Sequence, residues 1–167
     1  DSENRKVATI TKYGTVIEKG MEENPILLAF KEMEQYFEGK DDCTLTDLIN
    51  SDRSLLVVES KEENSGAFFL GNFENKNDCE MGAINWNPNE GAVDAEGNSH
   101  SPAMIFHHEA RHAHHFMTNV LQMITDKFSL IKDYDNVEEK KSIDESNETS
   151  KKLGNGDGGN GDDKKRI

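Results

Sequence analysis

All six histidines of the chain fall between His100 and His115, and inside that cluster His108-Glu109-Ala110-Arg111-His112 spells HExxH. A shuffled chain of the same composition holds about 0.02 such matches. The pattern constrains the backbone before it says anything of chemistry. On an α-helix, residues i and i+4 lie about 40° apart and about 6 Å along the axis, so both imidazoles can reach one cation. Ser101 can cap such a helix and Pro102 fits its first turn, so a helix is expected from about Pro102 to Ile124. Glu109 lies about 100° round from His108. That is too far for a comfortable ligand, but well placed to hydrogen-bond a water on the cation. Zinc lowers the pKa of such a water toward about 7, and a carboxylate can take its proton as it attacks a carbonyl. The spacing therefore points to metal-assisted peptide hydrolysis, with His108 and His112 as ligands of Zn2+ and Glu109 as base.

A catalytic zinc keeps three protein ligands and one open position. The extended pattern HExxHxxGxxH is absent, because His115 stands at its Gly position and Thr118 at its third His. The third ligand is expected from a later helix, about Val137 to Leu153, whose apolar residues are few (Val137, Ile143, Leu153) and whose acids are many: Glu138, Glu139, Asp144, Glu145 and Glu148. Carboxylates aimed at a metal would explain how so polar a helix packs at all. Periodicity does not choose among them. Asn147-Glu148-Thr149-Ser150 resembles the Asn-Glu pattern that supplies the glutamate ligand in thermolysin-like zincins, which favours Glu148, with Glu139 as the alternative. His107, His114 and His115 read as solvated or supporting residues, and His100 sits in the preceding loop, where it could line the cleft. Tyr134, between the two helices, is a candidate oxyanion donor or a turn residue covering the core.

The rest of the chain reads as one α+β domain. Val7–Thr11 and Thr15–Ile17 flank Tyr13-Gly14 as a hairpin. Asn24-Pro25 opens a helix with Ile26, Leu27, Phe30, Met33 and Phe37 at helical spacing, closed by Gly39. Leu45, Leu48 and Ile49 suggest a short helix, and residues 55–58, 67–70 and 82–86 read as strands. The last is expected at the edge of the sheet nearest the cleft, where an extended substrate could pair with it. Residues 87–100 read as loop. Phe128, Leu130 and Ile131 are expected to continue the apolar packing beyond a break after the HExxH helix. Gly154 stops the last helix, and residues 154–167 form a Gly/Asp-rich tail expected to be disordered. The domain is therefore placed at 1–153.

At 167 residues the chain suits one domain with a real core. A formal net charge of −14 disfavours nucleic acid, and no run approaches the roughly 18 apolar residues of a membrane helix. An acidic surface would suit a basic partner protein, but a solvated acidic face is the favoured reading. Cys43 and Cys79 fit no metal-binding spacing; one disulfide and two free thiols both fit. Beginning at Asp1 without a charged and apolar leader, the chain reads as a fragment of a longer protein or a processed form.

Several stretches together resemble the NleD-like zinc metallopeptidases: Ile84-Asn85-Trp86-Asn87-Pro88-Asn89, Asn98-Ser99-His100-Ser101-Pro102-Ala103, His108-Glu109-Ala110-Arg111-His112-Ala113, Asn136-Val137-Glu138-Glu139 and Glu148-Thr149. The resemblance covers about residues 82–154. It implies a zincin-like fold, with a small mixed or antiparallel sheet on a long HExxH helix and a following helix supplying the third ligand. It also implies a bacterial effector, or a toxin domain of the Rhs type, that is secreted into a host or competitor cell and cleaves proteins there, with a cognate immunity protein as a further partner in the toxin case. His108 and His112 carry over as ligands, Glu109 as base and a downstream Glu as third ligand. Arg111 departs from the family pattern, since a cation beside the metal costs affinity unless it points away or pairs with a carboxylate. The alternatives to a peptidase are a silent binding module of the same fold and a zinc hydrolase of another substrate class.

Overall fold

A computed structural model describes residues 1–40, 43–61, 66–69, 80–93 and 97–154, with backbone alone for 67–69 and 80. The expected tail beyond Gly154 and Cys79 lie outside the described residues, while Cys43 is an exposed free thiol. Strands β1 (Ala8–Thr11) and β2 (Gly14–Ile17) form the expected antiparallel hairpin. Helix α1 (Pro25–Phe37) starts where Asn24 accepts a hydrogen bond from the Ile26 amide, and it buries Ile26, Leu27, Met33 and Phe37. Helix α2 (Thr44–Asn50) leads into β3 (Ser54–Glu59), β4 (Gly66–Phe69) and β5 (Glu80–Trp86).

These three strands make a mixed sheet in the order β3-β5-β4, with β3 parallel and β4 antiparallel to β5. The expectation that 82–86 is an edge strand is thus overturned. β5 is paired on both sides, and its Met81 and Ile84 are fully buried, as befits an interior strand. Residues 87–100 are not all loop either. β6 (Ala92–Val93) and β7 (Ser99–His100) pair as a short antiparallel ribbon. The ribbon brings the chain so close that a Cβ on Gly91 would sit 2.4 Å from the His100 carbonyl oxygen, which only glycine tolerates.

Helix α3 (Pro102–Thr118) carries the motif, and α4 (Val120–Phe128) and α5 (Val137–Leu153) follow. The expected single helix to Ile124 is interrupted at Asn119. Its extended backbone ends α3, and its side chain caps α4 by accepting from the Gln122 amide. The redirected α4 turns Met123 inward and leaves Phe128 84% and Leu130 86% exposed, so the apolar packing expected there does not occur. Among the described residues, no helix is long and apolar enough to cross a membrane.

The core joins α1, β5 and α3: Leu27, Met33, Phe37, Ile84, Trp86, Met104, Phe106 and Ala110 form one buried cluster. Trp86 pins α3 to the sheet. Its indole N–H donates to the Pro102 carbonyl at 2.9 Å, and its ring meets Phe106 edge-on at 5.0 Å. Replacing Trp86 with Phe should therefore destabilise the fold by about 1–3 kcal/mol through the lost bond and volume. Phe128→Ser should stay within about 0.5 kcal/mol. Denaturant midpoints of the two variants measure the difference.

Candidate metal centre

The two motif histidines lie on the buried side of α3 and face α5. Their Nε2 atoms stand 3.2 Å apart, with the rings nearly perpendicular. The carboxylate of Glu139 closes the group, with Oε1 3.0 Å from His108 Nε2 and Oε2 3.3 Å from His112 Nε2. One ligand atom from each of His108, His112 and Glu139 lies within 4.8 Å of the others. Two imidazole nitrogens and a carboxylate oxygen converging this closely form a set that can hold a metal ion. Glu139 stays a quarter exposed, so solvent reaches the group from that side.

Local sequence puts Glu139 there. Asn136 caps α5 by accepting from the Glu139 amide at 2.8 Å. Glu139 is thus the third helical residue, where a capping box would turn its carboxylate back on the cap. It faces the histidines instead. Both Glu138 and Glu139 occupy the first turn of α5, where the helix dipole favours negative charge.

Glu148, preferred from the sequence, does not lie with the two histidines. Glu148 is exposed and paired with Lys151 at 2.8 Å. The interior face of α5 is made of Glu138, Ser142, Ile143, Ser146, Asn147, Thr149 and Ser150. At 100° per residue this face centres about 80° round from Glu138, which places Glu139 about 20° from its centre and Glu148 about 160° away.

The remaining candidates have separate places. Glu109 is half-buried beside His108, and its charge adds to the proton affinity of His112. His107 is fully buried against the Phe37 ring, His100 is buried in β7, and His114 meets Asp47 of α2 at 2.9 Å. Tyr134 is half-buried in the turn before α5, with the Lys140 ammonium 5.6 Å above its ring. Arg111 is buried with Nη1 3.2 Å from Glu145 Oε2, so it pairs with a carboxylate. Sequence reasoning gave no part to Glu145 beyond a place among the acids of α5, nor to Glu138, whose Oε1 lies 2.9 Å from His112 Nδ1. The first-turn position of Glu138, four residues before a buried Ser, was the available signal.

Charge is shared across the seam between the helices. Burial works against a charged His112, but hydrogen bonds to Glu138 and Glu139 outweigh it and hold its pKa up to about 9. Burial likewise opposes charge on His115, and Glu138 and Glu145 raise it to about 9. Burial would raise Glu138, yet His112 and His115 draw it down to about 2. Glu139, against the same penalty, is held well below the usual carboxylate range by His108 and His112. The raised histidines stabilise the metal-free fold fully below their ordinary pKa of 6.5, and this is lost as pH rises through about 9. The lowered Glu138 stabilises it above 4.5, and this is lost as pH falls through about 2. The metal-free chain should accordingly lose stability between pH 6.5 and 9. Denaturant midpoints across that range in chelator test this, and a flat profile contradicts the pairing.

The sequence pattern of the peptidase M91 family, described as effector proteins, matches residues 29–150. This is well over half of the chain, and it reaches back from the motif across α3, the sheet and α2 into α1. No curated protein and no solved structure matches. With a motif helix and an acidic helix converging on one ligand group inside the matched span, the chain belongs to the M91 family of NleD-like metallopeptidase effectors.

Proposed function

We propose that the chain is a zinc-dependent endopeptidase of zincin type, with His108, His112 and Glu139 as the metal ligands and Glu109 as the general base. The observation that carries this is the convergence of three ligand atoms from α3 and α5 within 4.8 Å, with Glu109 adjacent in the chain to a ligand. The donor set fits zinc: two imidazoles and one carboxylate are a recurrent catalytic set that leaves a position open. Bound there, zinc would supply Lewis acidity toward water and the peptide carbonyl at neutral pH. The protein's own part is to hold and move protons. Glu109 takes the proton of the attacking water and returns it to the departing amine. Glu138 holds the Nδ1 side of His112, leaving Nε2 for the metal.

Family membership implies a protein substrate and delivery into a host cell. With β5 interior, an extended substrate backbone has β4 as the sheet edge that packs beside α3 among the described residues. The mixed α+β architecture under a motif helix supports the zincin reading of the fold.

Zinc content and cleavage of candidate host proteins, measured on the same variants, test the assignment. Glu109→Gln should keep zinc and lose turnover by about 10²–10⁴. His112→Ala and Glu139→Ala should lose zinc, and stability with it, because metal binding adds to folding free energy. Glu148→Ala should change neither. Full activity in Glu109→Gln would refute the base, and zinc retained by Glu139→Ala but lost by Glu148→Ala would reverse the choice of ligand. A metal-free, stably folded wild-type chain would point to a binding module instead.

A further inference from the structure

The same spacing repeats on both helices at the seam. His108, His112 and His115 form one ridge of α3 at i, i+4 and i+7, and Glu138, Ser142 and Glu145 form the facing ridge of α5. Oε1 of Glu138 accepts from both histidines it faces, lying 2.9 Å from His112 Nδ1 and 2.8 Å from His115 Nδ1. The Ser142 hydroxyl lies 3.0 Å from His112 Nδ1 and donates to that same Oε1 at 3.3 Å. The other ring nitrogen of His115 lies 2.8 Å from Glu145 Oε2, the oxygen that Arg111 Nη1 approaches at 3.2 Å. Glu138 is 1% exposed, so bulk water does not compete for its carboxylate.

From this we infer that Glu138 is a positioning residue for the metal ligand His112, and that His115, itself anchored by Glu145 and Arg111, fixes Glu138 in turn. The inference rests on the proposed role of His112 as a ligand. An imidazole that gives Nε2 to a cation carries its proton on Nδ1, and the acceptor of that proton sets both the tautomer and the ring's orientation. Here the acceptor is a buried carboxylate with one oxygen shared between two histidines. Any change that frees His115 lets that oxygen swing from the line of His112 Nδ1. His115 thus acts on the metal without touching it, through two hydrogen bonds on one atom.

The full chain is loaded with zinc, and affinity is read by competition with a chromophoric chelator for wild type, Glu138→Gln, His115→Gln and the double variant. Nitrogen-15 histidine spectra of the zinc-loaded chains report the Nδ1–H of His112. Glu138→Gln should weaken zinc by about 10–100-fold and shift that Nδ1–H signal. His115→Gln should weaken zinc by a smaller factor, about 3–10-fold, and should add nothing in the Glu138→Gln background, because the two act through one path. Wild-type affinity in Glu138→Gln, an unmoved Nδ1–H signal, or independent losses in the double variant overturn the inference. Should Glu138→Gln not fold, Glu138→Asp retracts the carboxylate by one methylene and carries the same two readouts with the same expectation. The underlying reading fails separately: if wild type and His112→Ala take up zinc alike, or neither takes it up, His112 is no ligand and the positioning role falls with it.

Discussion

The structure depends on how two helices with almost no apolar surface in common come to lie against each other. α3 presents a ridge of histidines with buried Arg111, and α5 answers with Glu138, Glu139 and Glu145. Buried charge is expensive unless paired and hydrogen-bonded. Here nearly every group has a partner of opposite sign, and two of the three carboxylates, Glu138 and Glu139, also sit at the positive end of α5. Ser142 joins the seam at His112, and Ser146, Thr149 and Ser150 are buried on the same face of α5. Only Ile143 contributes a fully buried apolar side chain from α5.

The group of His108, His112 and Glu139 depends on the opposite side of α3. There the helix is fixed to the sheet by Trp86 and Phe106 and to α1 by Phe30, whose ring meets Phe106 edge-on at 5.7 Å. A helix held by aromatic packing on one face and by ion pairs on the other has little freedom to roll. His108 and His112, one turn apart, therefore keep their spacing as Glu139 approaches from another element.

The sequence made α3 and its cluster legible because HExxH is a local pattern: His108, Glu109 and His112 sit on one helix whose start is marked by Ser101-Pro102. The carboxylate that joins the two histidines is a tertiary matter. Glu139 and Glu148 have the same side chain on the same helix, and only the facing surface separates them. The interior stripe of α5 is legible once small polar residues are counted as interior, but Ser and Thr commonly mark a solvated face, and a search for apolar spacing finds only Val137, Ile143 and Leu153. Asn119 misled in a similar way. A polar residue in an otherwise periodic run is tolerated in many helices, and nothing local shows that its side chain will cap a new one. The interior position of β5 depended on pairings with β3 and β4 that no short window of sequence contains.

The composition of the seam has a thermodynamic consequence. Separating α5 from α3 would expose buried Glu138, Ser142 and the imidazoles they meet, with few large apolar side chains beside them. Heat-capacity change and denaturant sensitivity both scale with the surface exposed, and apolar surface dominates the former. Opening of this seam should therefore add less heat capacity per unit of surface exposed than unfolding of the aromatic core. The amide hydrogen exchange of α5, set beside that of α1 and α3, reads whether the seam opens before the core.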